Sequence, residues 1–135
     1  MAHEKALPGY ETTVITRNEM TDDALKTLKD RLTTLVGSFN GEVVEFEDWG
    51  KKRLAFPIQK ESRGQYTYVA YTGKPGVVAE IERNLRIHEN VLRYLTVNLA
   101  EEFDVEAFKK ERAAIKGRRE EAARAAAEYE SGFDA

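Results

Sequence analysis

The spacing of apolar residues in this chain switches between the two-residue period of a strand and the three-to-four-residue period of a helix. The order of those switches limits the fold more than any other feature. Tyr10 to Arg17, YETTVITR, is dense in β-branched residues and reads as a strand. The next stretch, TDDALKTLKDRLTTLVGSFNG, has Thr21 as N-cap, Asp22 and Asp23 in the first turn, and Leu25, Leu28, Leu32, Leu35 and Val36 at helical spacing before Asn40-Gly41 stops it. A long extended segment from Gly41 to Gln59 follows, then KESRG as a turn, then a second β-rich run, QYTYVAYT, from Gln65 to Thr72. Pro75 stands near a helix start, with Val77, Val78, Ile81 and Leu85 on one stripe and Glu82, Arg83 and Arg86 on the other side. Asn90 to Leu99 returns to β chemistry, with Leu95, Val97 and Leu99 alternating against Tyr94 and Thr96.

The order β-α-β-β-α-β is that of the ferredoxin-like split βαβ plan. It predicts an α+β domain in which two helices cover one face of a four-stranded antiparallel sheet and leave the other open. The expected domain spans residues 10–99, between a flexible leader at 1–9 and an extension at 100–135. The extension is rich in Ala, Glu, Lys and Arg, with apolar positions too sparse for a core face and with Gly117 interrupting it. It reads as a charged helical or disordered tail. No apolar run approaches the roughly 20 residues of a membrane span, and the start of the chain lacks the apolar core of a signal peptide, so the expected location is the cytoplasm.

A net charge of -3 conceals a partition. Residues 1–50 hold 5 Lys/Arg and 10 Asp/Glu, residues 51–93 hold 9 and 4, and residues 94–135 hold 7 and 10. The middle is basic between two acidic flanks. Screening over roughly 8 to 10 Å makes nearby charge dominate, so an acidic total does not exclude a polyanionic partner.

The basic middle opens with EDWGKKRLAFPI, Glu47 to Ile58. Strict alternation places Trp49, Lys51 and Arg53 on one face and Lys52, Leu54, Phe56 and Ile58 on the other, so a cation interrupts either face. That conflict points to a bulge at Gly50. A flat strand from Gly41 to Ile58 would run on the order of 60 Å at about 3.3 Å per residue, which also favours a bend there. An indole beside three cations suits phosphates and an apolar partner surface, whereas the same cations could be solvated guards of a sheet edge.

The titratable residues form no catalytic constellation. His3 and His88 are too far apart in the plan for a shared metal site, and without cysteine there is neither a thiolate site nor a thiol nucleophile. Asp22 and Asp23 are explained by the dipole of a helix start, and Gly73-Lys74-Pro75-Gly76 is not a P-loop. No cofactor and no metal are expected. Tyr66, Tyr68 and Tyr71 lack the flanking pattern of an RNA-recognition sheet, which favours hairpin packing.

Four segments in order, YE at Tyr10-Glu11, WGKKRLAFPI at Trp49 to Ile58, GQYTYVAY at Gly64 to Tyr71 and IERNLRIHENVLRYLTV at Ile81 to Val97, resemble the bacterial small-subunit ribosomal protein S-six family over residues 10–99. Phe56 stands where tyrosine is common and Lys52 where arginine is common. The resemblance implies the ferredoxin-like fold and a structural, non-enzymatic component of the small ribosomal subunit. It also implies binding to the central domain of the small-subunit ribosomal RNA together with ribosomal protein S-eighteen. It places RNA contacts at Lys52 and Arg53, joined by the adjacent Lys51, and at Arg86 and Arg93, with Trp49 and Leu54 at the partner surface. Two other classes fit the same element order: a small acylphosphatase-type enzyme, which would need a phosphate-cradling loop after the first strand, and a homodimeric ligand-binding regulatory domain.

Overall fold

The computed structural model describes residues 7–115 and 118. The expected leader, apart from residues 7–9, and the far part of the extension, including Gly117, lie outside the described residues. The chain divides into two compact units that part after Phe103. The first contains β1 (Gly9–Arg17), α1 (Asp22–Ser38), β2 (Val43–Ile58), β3 (Glu61–Thr72), α2 (Val77–Ile87) and β4 (Val91–Ala100). In the second, residues 105–115 are helical, and Asp104 caps that helix by accepting from the Ala107 amide at 3.0 Å.

The four strands form one antiparallel sheet, as the element order predicts, and lie in the order β2-β3-β1-β4. Thr21 caps α1 by accepting from the Ala24 amide at 3.1 Å, satisfying one of the free donors of the first turn. The apolar stripes of the helices, Leu25, Leu28, Leu32 and Val36 from α1 and Val77, Ile81 and Leu85 from α2, close over Val14, Val69 and Tyr71 of the central strands. Each such side chain contributes about 1.5 to 3 kcal/mol by leaving water. One polar feature crosses this core: the Thr12 hydroxyl lies 2.8 Å from both the Tyr71 hydroxyl and the Thr96 hydroxyl, linking three strands. Burial pushes the Tyr71 phenol above its usual pKa, against the lowering effect of these hydrogen bonds.

Both ends of the sheet are tied. Phe103 closes over Gly9, where a Cβ would come within 2.2 Å of the Phe103 ring, and the Phe103 amide donates to the Leu7 carbonyl at 3.0 Å. At the opposite end Arg17 pairs with Glu61 at 2.9 Å, donates to the Gln59 side-chain oxygen at 3.2 Å and reaches the Glu89 carbonyl at 3.2 Å. One guanidinium thus fastens the β2–β3 turn to the α2–β4 connection.

That turn departs from expectation. Ile58 pairs with Glu61, so the reversal is made by Gln59 and Lys60 alone, both left-handed at φ 48° and 65°, and residues 61–64 already belong to β3. A two-residue hairpin turn needs positive φ at both positions, normally supplied by Asn and Gly. Gln-Lys carries no such signature, while Gly64 attracts a turn assignment on composition alone. Its glycine serves packing instead: a Cβ there would meet Ile15 Cγ2 at 2.6 Å.

Candidate functional site

The expected bulge is present. Asp48 pairs with Thr67 and Gly50 with Tyr66, so Trp49 is the extra residue, and Gly50 takes φ +83°. Residues directly opposite in an antiparallel ladder share a face. Beyond the bulge, Lys51 faces Gln65 and Arg53 faces Arg63, on the side of the sheet that carries the helices. Lys52 faces Gly64 on the open side. The simple alternation is therefore corrected: Trp49 belongs with Lys52 and not with Lys51 and Arg53, because the bulge resets the register.

Contacts confirm the grouping. The Trp49 ring stacks on Tyr68 with centroids 5.4 Å apart and 15° between planes, and Lys52 Nζ sits 5.8 Å from the Trp49 centroid and 5.6 Å from that of Tyr66. Tyr68 in turn donates to Glu11 Oε2 at 2.6 Å. The indole N–H is enclosed and has no acceptor among the described residues. Trp49 is half-buried, partly exposed as its position at a bend predicts.

Farther along, the step from the Arg53–Arg63 pair to the Ile58–Glu61 pair takes five residues of β2 but two of β3. The surplus lets Leu54 to Pro57 leave the ladder and cross toward the opposite edge of the open face, which also frees Pro57 from donating a ladder hydrogen bond. Leu54 lands over Gly64 and is only 7% exposed, so it is enclosed by its own chain and offers little surface to a partner. Phe56 reaches β4, where the Arg93 guanidinium lies 6.0 Å from its ring centroid.

Phe56 is 61% exposed, Leu95 66% and Val97 45%. Arg93, Leu95 and Val97 pair with Ile15, Thr13 and Glu11 in turn, all on the open face. Here the apolar side of a strand is the solvated one, while Tyr94 and Thr96 face the helices. The three exposed residues were not singled out from sequence; the alternation of Leu95, Val97 and Leu99 is a signal of one apolar side but does not say which side is covered.

Of the cations expected to contact RNA, the fold brings Lys51 and Arg53 of β2 to the helix-bearing side of the sheet, and Lys52 of β2 and Arg93 of β4 to the open side. Arg86 stands apart, exposed in the last turn of α2. Arg83 is committed to Glu80, whose carboxyl it holds below the usual range by hydrogen bonding. A groove of about 410 Å³ between α1 and the end of α2 is lined by Thr27, Arg31, Asn84, Ile87 and His88, with the His88 Nδ1 accepting from the Asn90 amide at 3.1 Å. Among the described residues no group of His, Asp and Glu is arranged to hold a metal ion. No described helix is long and apolar enough to cross a membrane.

Residues 9–98 match the family model described as Ribosomal protein S6. The small ribosomal subunit protein bS6 of Geobacter sulfurreducens is 46% identical over 93 residues, covering 69% of this chain and 80% of that protein. The bS6 of Trichlorobacter lovleyi is 37% identical over 119 residues, covering 88% and 98%. Among solved structures, the 30S ribosomal protein S6 of Thermotoga maritima superposes with a TM-score of 0.63 at 22% identity, over 80% of this chain and 97% of that one. The C-terminal domain of the MgtC protein of Mycobacterium tuberculosis, with a TM-score of 0.50 at 12% identity over 76% and 98%, shares the fold alone.

Proposed function

Because the chain belongs to the ribosomal protein S6 family, and is thus a structural component of the small ribosomal subunit in the cytoplasm and not an enzyme, we propose that it is held there by two surfaces of different chemistry. The open face docks a protein neighbour, ribosomal protein S-eighteen, and the cations on the helix-bearing side of the β2–β3 arm, Lys51 and Arg53, with Arg86, bind the central domain of the small-subunit ribosomal RNA. The observation that carries this reading is the line of Phe56, Leu95 and Val97, exposed beside Arg93 on an otherwise ordered sheet. Contiguous apolar surface of this kind marks an interaction site. Trp49 deepens it, because its stack with Tyr68 gives the partner a rigid aromatic floor beside the strip.

The acidic total fits joint binding. Net charge -3 gives weak attraction to RNA for the chain alone, and a second protein bound on the open face adds contacts without moving the arm. The test is equilibrium binding of the full chain to purified ribosomal protein S-eighteen, followed by titration of the pair with small-subunit ribosomal RNA. Leu95→Asp should weaken the protein complex at least tenfold, since a buried unpaired carboxylate costs more than about 1.4 kcal/mol, while the melting temperature of the free chain stays unchanged. Unaltered affinity would remove the open face from the reading. Equal, tight RNA binding with and without the second protein would remove the joint mode.

A further inference from the structure

We infer that Arg63, together with Arg53, forms a two-guanidinium clamp for an RNA phosphate on the helix-bearing side of the β2–β3 arm. The two arginines are direct cross-strand partners, and both are exposed. Like charges at that position, with Cβ atoms about 4.5 to 5.5 Å apart, destabilise a ladder unless a counter-charge lies between them. No described residue supplies one. The acids that come nearest along the same two strands are both spoken for: Asp48 is held by Lys29 at 2.7 Å and Glu61 by Arg17 at 2.9 Å. Lys51 adds a third exposed cation two residues along the same side, opposite the uncharged Gln65.

This arrangement differs from that of the two cations on the open face, Lys52 of β2 and Arg93 of β4. Lys52 is placed over two aromatic rings and Arg93 over Phe56, so those charges are partly balanced by ring faces on the open side. Arg53, Arg63 and Lys51 have neither a ring nor an acid among the described residues. Planar guanidiniums that share one oxyanion form the strong, directional contact that phosphates make best, and a backbone of regularly spaced phosphates also satisfies Lys51. The occupant is therefore nucleic acid, on the side of the arm away from the protein-docking face.

The inference rests on the RNA-binding reading above and is tested so that the two fail differently. Full-length wild type, Arg63→Glu, Arg53→Glu and, as a charge control outside the arm, Lys74→Glu are each titrated onto small-subunit ribosomal RNA carrying the other small-subunit proteins, across a salt series, and melted alone. Arg63→Glu replaces repulsion by a cross-strand attraction, so the free chain should melt higher. Its RNA affinity should fall about 10-fold or more, with a salt slope shallower by about 1 to 2. Arg53→Glu should behave alike, and Lys74→Glu should stay near wild type. Retained wild-type binding with Arg63→Glu no weaker than Lys74→Glu would overturn the clamp and leave the RNA reading standing. Wild type that holds no RNA even at low salt would sink both. Loss of association with the proteins at unchanged RNA affinity would give the pair to an acidic protein surface, again overturning the assignment.

Discussion

Val69 and Leu95 are both aliphatic residues inside strands of the same sheet, yet the first is 1% exposed and the second 66%. The difference lies in what covers each face. Two amphipathic helices close over Val69, whereas Leu95 looks out from a face that the crossing segment of β2 partly overlies. The β2–β3 arm repeats the contrast over a few residues: Lys52 settles on the rings of Trp49 and Tyr66, and Arg53, the next residue, stands opposite another arginine. Apolar surface on the covered face stabilises the fold. Apolar surface on the open face, and uncompensated charge behind it, are available for assembly.

The largest effect should fall on the covered face. Ile81→Ala removes a fully enclosed side chain from the core and should cost about 3 kcal/mol in urea unfolding, while Leu95→Ala should stay within about 0.5 kcal/mol of wild type. Equal losses would dissolve the distinction between the faces. Gly64→Ala comes next, because its Cβ would press on Ile15 Cγ2 at 2.6 Å and on the Thr16 carbonyl at 3.2 Å. A cost of about 1 to 3 kcal/mol is expected, showing that the open face is itself packed where Leu54 crosses it. A neutral result would mean that this crossing is loose.

A pH effect sharpens the comparison from the covered side. Tyr71 keeps its proton more firmly folded than unfolded, so its contribution is complete below about pH 10 and is lost as pH rises from there through the folded value, at up to about 1.4 kcal/mol per pH unit. Unfolding measured between pH 9 and 11 should show a decline that Tyr71→Phe reduces. An identical decline in the variant would assign it elsewhere. The smallest effect should come from the turn, which belongs to neither face. Lys60→Gly relieves a left-handed residue that has a Cβ, against the entropy glycine adds to the unfolded chain, for a net gain of about 0.5 kcal/mol. Destabilisation instead would show that the lysine side chain anchors the turn.

The element order was legible because each change of period coincides with a cap or breaker, as at Thr21 and at Asn40-Gly41. The bulge was legible too, since no unbroken alternation accommodates both Trp49 and the cations that follow it. What escaped depends on register and on distant neighbours. The pairing of Arg53 with Arg63 follows from a turn at Gln59-Lys60 together with the three-residue surplus of β2 between Arg53 and Ile58; that turn lacks Asn and Gly, so composition draws it toward Gly64. The enclosure of Leu54 depends on Ile15 and on the missing side chain of Gly64, a meeting of three strands that no local pattern announces. Which side of β4 is covered depends on where the helices pack, and Leu95, Val97 and Leu99 alone suggest the opposite of what Tyr94 and Thr96 do.

The central claim is that the two sides of the arm and sheet meet different classes of partner, and the absence of cysteine makes it directly measurable. Single-cysteine variants Lys51→Cys and Leu95→Cys, each carrying a thiol-linked benzophenone, are incorporated into small ribosomal subunits and irradiated. The product from position 51 should be cross-linked RNA and the product from position 95 a cross-linked protein. Protein at position 51 together with RNA at position 95 would contradict the account.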